Sequence, residues 1–325
     1  MFMDYNALSQ LTEIKYKSLI DHLHKSRDLY PDKPVFLFKG QSLTYRMFAN
    51  HVEDCARALA ALGLTKGKTV ALVLPNVLEF CVLYYALLQQ AVRVLPVNIM
   101  LTAGELENMV LETGTDAIFV WHRFSNLIQT AIADLPSRPQ IYPIESYANA
   151  ENIDFYRTLP KQITPPSPTP KLQKQDDALV FYSAGTSEAP RGVLFTHESI
   201  SCTLRSLWET LLIADADMIL AAMPLFHPFG QMVTMNVPIA AGSTIVLHTR
   251  LDIDEIIDSI EQHKITYLLA VPHVFDEIAK KSPDPARLKS LRVCLARGAI
   301  LKDESYTTFQ KKYNPTLLEG SVRRS

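Results

Sequence analysis

The sequence predicts an α/β protein in which helices cover two mainly parallel sheets. Short apolar runs of strand length alternate with longer amphipathic stretches at helical spacing, which is typical of consecutive βα units. The chain has 325 residues, of which 48% are hydrophobic and 20% charged, so it can bury a large core. The alternation occurs in two series, and we predict two packed subdomains with a seam near a proline-rich connector.

The first part of the chain predicts an entry segment followed by one series of βα units. A helix over 14–30 ends at Pro31, and a hairpin with strands at 35–38 and 42–45 follows it. The predicted helices of the first series cover 52–62, 77–90, 103–113 and 124–135. Its predicted strands cover 69–74, 92–96 and 117–121.

The connector precedes a second series of the same kind. Residues 159–175 include Pro160, Pro165, Pro166, Pro168 and Pro170 among polar residues, which predicts an extended segment. The predicted helices of the second series cover 198–212, 229–240, 252–263 and 273–281. Its predicted strands cover 218–222, 243–247, 267–271 and 291–295.

Composition excludes several classes of protein. The formal net charge is -2 and no block of Lys or Arg occurs, which argues against nucleic-acid binding and against an anionic membrane surface. The N-terminus lacks a secretion signal, and polar residues interrupt the most apolar region, 70–97, so no membrane span is expected. We predict a cytoplasmic protein whose four cysteines are reduced core residues: Cys55, Cys81, Cys202 and Cys294.

The stretch between Phe181 and His197 predicts a strand, a hydroxyl-rich turn and a second strand. Glycines in the turn allow backbone N–H groups to approach a ligand, and Arg191 adds a fixed positive charge. These groups suit a polyphosphate, although a solvated hairpin turn has a similar composition. The candidate phosphate-binding residues are Ser183, Gly185, Thr186, Ser187, Arg191 and Gly192.

The order of residues in this stretch resembles the phosphate-binding signature of the adenylate-forming superfamily. That family, which includes the acyl-CoA synthetases, has Tyr-Ser-Ser-Gly-Thr-Thr-Gly-x-Pro-Lys-Gly-Val, and residues 182–193 read Tyr-Ser-Ala-Gly-Thr-Ser-Glu-Ala-Pro-Arg-Gly-Val. Glu188 replaces a glycine, and Arg191 replaces the lysine. The added carboxylate of Glu188 would repel a triphosphate and weaken ATP binding.

Two further segments carry the resemblance into the second series. Residues 224–230, Pro-Leu-Phe-His-Pro-Phe-Gly, match a family segment in which the histidine lies against the carboxylate substrate. By position, His227 would place the substrate, although a lone histidine between prolines is more often structural. The resemblance implies that the adjacent helix face lines the acyl pocket, with candidate residues Phe226, Phe229, Gly230, Met232 and Val233.

The second segment contains a replaced glycine. Residues 296–301, Ala-Arg-Gly-Ala-Ile-Leu, match a family motif with paired glycines that borders the adenine and acyl sites, so Gly298 is a candidate nucleotide-binding residue. Arg297 stands where the first glycine is usual. Its guanidinium would fill the site or redirect the ligand, unless it points to solvent.

The residues after Leu318-Glu319-Gly320 depart from the family. Ser321 to Ser325 stand where the family has the threonine and glutamate that bind Mg²⁺, and no metal ligand is assigned. The family's β-barrel subdomain and C-terminal lid with its lysine have no counterpart here. We therefore expect exposed apolar surface near Leu317 and Leu318, or a partner chain or second copy that covers it.

The resemblance implies a function for the family and leaves three hypotheses for this chain. The family reaction is ATP-dependent activation of a carboxylic acid, fatty acids being favoured, to acyl-adenylate and acyl-CoA, with Mg²⁺ and CoA. The chain is a truncated synthetase that is inactive alone, a silent relative that binds a ligand or protein, or half of a split ligase. Family analogy places the subdomains at 51–195 and at 1–50 with 196–325.

Overall fold

The structure is a computed structural model that describes residues 18–145, 153, 155–159, 170–182, 191–299 and 301–320. Its strands form one sheet of seven strands and one of six, and most neighbouring strands run parallel. Helices pack on both faces of each sheet. This architecture confirms the predicted α/β class.

The six-stranded sheet contains the strands of the first series, in the order β6-β5-β3-β4-β7-β8. All its pairs are parallel except β7 with β8, which form the hairpin around the hydroxyl-rich turn. The strands are β3 (Thr69–Val73), β4 (Arg93–Pro96), β5 (Ala117–Trp121), β6 (Gln140–Ile144), β7 (Asp177–Tyr182) and β8 (Gly192–Thr196).

The seven-stranded sheet has the order β13-β12-β11-β9-β10-β1-β2. Only the entry hairpin, β1 with β2, is antiparallel. The strands are β1 (Pro34–Phe38), β2 (Gln41–Thr44), β9 (Met218–Ala221), β10 (Thr244–Leu247), β11 (Tyr267–Ala270), β12 (Val293–Arg297) and β13 (Thr316–Gly320). The six-stranded sheet thus takes its strands from both sides of the connector, and the seven-stranded sheet joins the entry hairpin to the strands after β8. The subdomain boundaries at residues 50 and 195 stay a prediction.

The helices follow the strands in chain order. The helices before the β7–β8 hairpin are α1 (Leu19–Leu29), α2 (Tyr45–Ala61), α3 (Leu78–Gln89), α4 (Ala103–Thr113) and α5 (Ser125–Ile132). Those after it are α6 (His197–Leu211), α7 (Pro228–Gln231), α8 (Val237–Ala241), α9 (Ile253–His263), α10 (Pro272–Lys281), α11 (Pro285–Leu288) and α12 (Asp303–Tyr313). A π-helical turn, Met232–Asn236, joins α7 to α8.

Side-chain alternation along the strands sorts the core into layers. On β3, Val70 and Leu72 belong to a large central cluster, whereas Ala71 and Val73 belong to a separate cluster beneath α4 and α5. The seven-stranded sheet divides in the same way, with α9, α10 and α12 on its outer face. Helices α1, α2, α3 and α6 therefore lie between the two sheets, and α3 is apolar on all sides because it is buried there.

Several elements differ from the sequence prediction. Helix α2 begins at Tyr45 rather than at residue 52, because Thr44 caps it by accepting a hydrogen bond from the Met47 N–H at 3.2 Å. The sequence does not predict β6, α12 or β13. Pro143 lies within β6, and α12 carries few apolar residues, so neither pattern stands out.

Two expectations about surface and core are wrong. Cys202 is exposed on α6, while Cys55, Cys81 and Cys294 are buried free thiols. Leu317 is only 6% exposed, because β13 packs its side chain into the cluster beneath α10 and α12. Leu318 is half-buried against the central cluster.

Candidate functional site

Several predicted site residues lie at the carboxyl ends of three neighbouring strands. Strands β9, β11 and β12 are adjacent and parallel, so their carboxyl ends meet at one edge of the sheet. The loop after β9 carries His227, and β12 ends at Arg297 just before Gly298. A Cβ atom on Gly298 would lie 3.7 Å from Val271 Cγ1 in the loop after β11. These loops therefore share one site.

The loop after β9 is held by a side chain from the other sheet. Asn76, which follows β3, donates a hydrogen bond to the Met223 carbonyl at 2.9 Å and accepts one from the Leu225 N–H at 2.8 Å. Gln231 donates to the Leu225 carbonyl at 3.0 Å. Asn76 and Gln231 are buried, so these bonds are shielded from water and fix the loop.

Gly230 allows the helix after this loop to pack closely. A Cβ atom at this position would lie 2.5 Å from the Pro224 carbonyl oxygen, which is backbone and cannot rotate away. No side chain larger than hydrogen fits without a backbone shift. Gly230 therefore sets how near α7 lies to the loop that carries His227.

His227 caps the N-terminus of α7 and presents a hydrogen-bond donor. Its Nδ1 accepts a hydrogen bond from the Phe229 N–H at 3.2 Å, so the neutral ring carries its proton on Nε2. Partial removal from water lowers the pKa of His227, and the positive charge of Arg297 lowers it further. The neutral imidazole thus offers an Nε2–H donor, which suits a role in placing a ligand.

Arg297 lies against Phe229 rather than extending freely into solvent. Its Cζ atom is 4.4 Å from the centroid of the Phe229 ring, a cation–π contact, while the residue as a whole remains exposed. Gly298, the next residue, has φ +101°, which L side chains rarely adopt. Of the two alternatives for Arg297, the structure supports a side chain directed over the site.

The predicted pocket residues differ in how far they reach the surface. Phe226 is half-buried, and Phe229 and Met232 are each 8% exposed. Val233 has no exposed surface and lies in the central cluster. Phe226, Phe229 and Met232 can therefore contact a ligand at the edge of the site, whereas Val233 supports them from behind.

The predicted phosphate loop starts from the β7–β8 hairpin of the other sheet. Residues 183–190, which include Ser183, Gly185, Thr186, Ser187 and Glu188, lie outside the described residues. At the base of the loop, Tyr182 pairs with Gly192, and its hydroxyl donates to Glu112 Oε2 at 2.7 Å. Burial raises the pKa of Tyr182, and this hydrogen bond raises it further. Arg191 is exposed beside this anchored base.

The described residues of both segments fit an anionic ligand. Arg297 provides an exposed guanidinium group and His227 a neutral imidazole donor, and Arg191 is exposed at the base of the hairpin. Gly298 presents open backbone that a flat ring could approach. Within the described ranges, no three His, Cys, Asp or Glu side chains are grouped to hold a metal ion.

Comparison with known proteins shows the family of the chain. A family model described as AMP-binding enzyme matches residues 23–320, which include both the hairpin and the strand-end loops. The chain belongs to the AMP-binding enzyme family. It is 26% identical over 292 residues to a sulfoacetate–CoA ligase of Cupriavidus necator, covering 89% of this chain and 56% of the relative.

Another similar protein is named as a fatty-acid–CoA ligase. A long-chain-fatty-acid–CoA ligase of Bacillus subtilis is 26% identical over 333 residues, covering 94% of this chain and 59% of the relative. This chain thus spans less than two thirds of the curated relatives it matches.

Solved structures share the fold. The inhibitor-bound N-terminal domain of FACL13 from Mycobacterium tuberculosis matches with a TM-score of 0.82 and 22% identity, covering 94% of this chain and 76% of that one. A benzoate CoA ligase from Burkholderia xenovorans matches with a TM-score of 0.80 and 20% identity, covering 93% and 60%. None of the helices in the described ranges is long and apolar enough to cross a membrane.

Sequence reasoning missed one residue and one contact that organise the site. Asn76 lies in Leu74-Pro75-Asn76, a stretch that also matches the family. A polar residue close behind the apolar run of residues 70–74 is a signal of a buried role. The contact between Arg297 and Phe229 joins residues far apart in sequence, and no sequence pattern indicates it.

Proposed function

We propose that this chain is the part of an acid–CoA ligase that binds the carboxylic acid and the adenosine nucleotide. The family reaction joins a carboxylate oxygen to the α-phosphorus of ATP with loss of pyrophosphate, and the thiol of CoA then displaces AMP. The observation that carries the proposal is the family match over residues 23–320, because it spans both predicted ligand-binding segments.

The proposed roles follow from the chemistry of each group. Arg191 and Gly192, with the hydroxyls of Ser183, Thr186 and Ser187, would hold the phosphates. Gly298 would border the nucleotide. His227, neutral because its pKa is lowered, would donate from Nε2 to an oxygen of the acid and orient it. ATP, when bound, supplies the electrophilic phosphorus and the leaving group.

The reaction class does not determine which carboxylic acid the chain binds. The relatives are named for sulfoacetate and for long-chain fatty acids, so their names do not select one acid. A fatty acid is the class that the family resemblance favours. The side chains that would contact the acyl group, in the part next to its activated end, are Phe226, Phe229 and Met232.

We also propose that these 325 residues bind ligands without turning them over. Ser321 to Ser325 stand in place of the residues that the family uses for Mg²⁺. A silent relative with a ligand-binding or protein-binding role, and half of a split ligase completed by another chain, are the alternatives. The cell compartment we propose is the cytoplasm.

Calorimetric titration with an acyl-sulfamoyl adenosine, a stable mimic of an acyl-adenylate, tests the binding function. We expect saturable binding and no carboxylate-dependent ATP–pyrophosphate exchange by the chain alone. A dissociation constant weaker than about 1 mM, equivalent to about -4 kcal/mol, for every acyl group tried would overturn the binding function. Exchange clearly above background would overturn the inactivity.

A further inference from the structure

Arg297 places a fixed positive charge at the edge of the site. Its backbone is the last residue of β12 and pairs in register with Gly320 of β13, so the start of the side chain is anchored. Its guanidinium lies over the Phe229 ring at 4.4 Å. An arginine stacked on an aromatic face keeps its N–H donors at the rim, where they remain available to a planar anion.

No acidic side chain in the described ranges forms an ion pair with Arg297. Six other arginines in the described ranges do form such ion pairs. Those that do pair with Asp or Glu are Arg27, Arg46, Arg57, Arg250, Arg287 and Arg292. The charge of Arg297 is therefore available for a ligand.

The neighbouring groups add donors and apolar surface. His227, whose Nδ1 is occupied by the Phe229 N–H, can offer only Nε2–H while it is neutral. Phe229 and Met232 give the apolar wall, with 8% of each exposed. A purely hydrocarbon chain laid along this wall would have to remove water from the guanidinium, which costs free energy unless an anion replaces the water.

We propose that Arg297 selects carboxylic acids that carry a second anionic group, such as dicarboxylic acids, and that the guanidinium binds this second group. The inference rests on the proposed function, since it assumes that the acid binds beside Phe229. The second group retains its charge when the first carboxylate becomes an acyl-adenylate. A guanidinium bound to the reacting carboxylate would instead lose its anionic partner at that step, so the second group is the better match.

Matched acyl-sulfamoyl adenosines test this selection. One series ends in a carboxylate (succinyl, glutaryl, adipoyl) and the other ends in a methyl group at equal chain length. We expect the wild-type chain to bind the best carboxylate-ended analogue about tenfold to a hundredfold more tightly than its methyl-ended counterpart, as measured by calorimetry. Added NaCl should weaken only this preference.

Substitutions assign the preference to Arg297. Arg297→Met keeps the length and apolar character of the side chain and should remove the preference, whereas Arg297→Lys should retain part of it. Arg250→Met, which also removes an exposed arginine, is the control and should leave the preference unchanged. The salt dependence of the wild-type chain provides a reading that does not require any variant to fold.

Two results would overturn the inference. Equal affinity for both series, or tighter binding of the methyl-ended series by the wild-type chain, would show that Arg297 does not select an anion, while the binding function would stand. If neither series binds to the wild-type chain or to any variant, the proposed function fails and this inference fails with it.

Discussion

At the scale of single residues, Arg297 and His227 interact through Phe229. The ring supports the guanidinium on its face, and its backbone N–H fixes the orientation of the imidazole. The positive charge of Arg297 also helps to lower the pKa of His227, after partial removal from water. The pair therefore carries one positive charge, which Arg297 can offer to an anionic group, and one neutral donor on His227.

Gly230→Ala tests how tightly the site is packed. The new Cβ would lie 2.5 Å from the Pro224 carbonyl oxygen and 3.2 Å from Met223 Cβ, so the backbone must shift. We expect a loss of about 1 to 3 kcal/mol in the free energy of unfolding, measured by urea denaturation. Gly104→Ala is the control, because a Cβ there meets nothing within 4 Å, and it should be neutral or slightly stabilising. Equal effects of the two substitutions would contradict the packing argument.

Because of His22, the folding stability of the protein should depend on pH, and this effect is separate from the candidate site. Burial, with a smaller effect from the charge of Lys25, lowers the pKa of His22 from 6.5 to about 4. Below pH 6.5 the unfolded chain binds a proton that the folded chain does not, so stability falls as pH falls. Between pH 7 and pH 5 this histidine should account for a loss of about 2 kcal/mol.

The pH effect is measured by urea denaturation of the wild-type chain and His22→Leu at both pH values. The substitution should reduce the difference between pH 7 and pH 5 by most of that amount. His122→Gln, which removes an exposed histidine, is the matched control. An unchanged pH dependence in His22→Leu would show that His22 does not titrate in this way.

The sequence predicted the residue types of the site better than their contacts. His227 and Gly298 follow apolar strands that were readable as strands, so their common edge could be expected. The hydrogen bonds of Asn76 to Met223 and Leu225 cross between the two sheets, and only the packed fold brings these residues together. Ala91, where the family usually has glycine, adopts φ +54°, which explains the usual preference.

At the scale of elements, the segment from Pro228 to Ala241 is not the regular helix that its apolar periodicity predicts. A π-helical turn occupies Met232–Asn236, and Pro238 follows it. Pro238 has no N–H to donate to the turn before it, and the Thr234 hydroxyl donates to the Gly230 carbonyl at 2.6 Å. The widened turn places Asn236 against α3.

Substitution of Asn236 tests the role of this π-helical turn. Its side-chain oxygen accepts from the Tyr85 hydroxyl at 3.1 Å, and its amide donates to the Tyr84 hydroxyl at 3.2 Å. All three residues are buried, so Asn236→Leu should cost about 2 to 4 kcal/mol in the free energy of unfolding, because two hydroxyls lose their partner.

A triple variant separates the hydrogen bonds from the shape of the core. Adding Tyr84→Phe and Tyr85→Phe to Asn236→Leu removes the orphaned hydroxyls, and most of the lost stability should return. Both measurements use urea denaturation. Additive losses in the triple variant would contradict the assignment of these bonds.

The elements that the sequence missed share a physical cause. The outer strand β6 alternates between exposed and buried residues and contains Pro143, so its apolar signal is weak. The helix α12 is polar overall and is anchored mainly by Phe309 and Tyr313. The buried strands and α3 were predictable because burial on all sides requires continuous apolar runs.

At the scale of the whole molecule, the two sheets each supply part of the proposed site. The six-stranded sheet provides the β7–β8 hairpin with Arg191 and Gly192, and the seven-stranded sheet provides His227, Arg297 and Gly298. Asn76 links the sheets by holding the loop after β9. Ligand binding should therefore depend on the packing of helices between the sheets as well as on residues that contact the ligand.

Hydrogen–deuterium exchange with and without a saturating acyl-sulfamoyl adenosine tests the location of the site most directly. We predict slower exchange in residues 226–236 and 293–298, where His227, Phe229 and Arg297 lie, and in the base of the hairpin at Arg191 and Gly192. Helix α5, Ser125–Ile132, lies on the outer face of the six-stranded sheet and should be unchanged. Saturable binding with protection confined to other segments would contradict the claim that these strand ends form the ligand site.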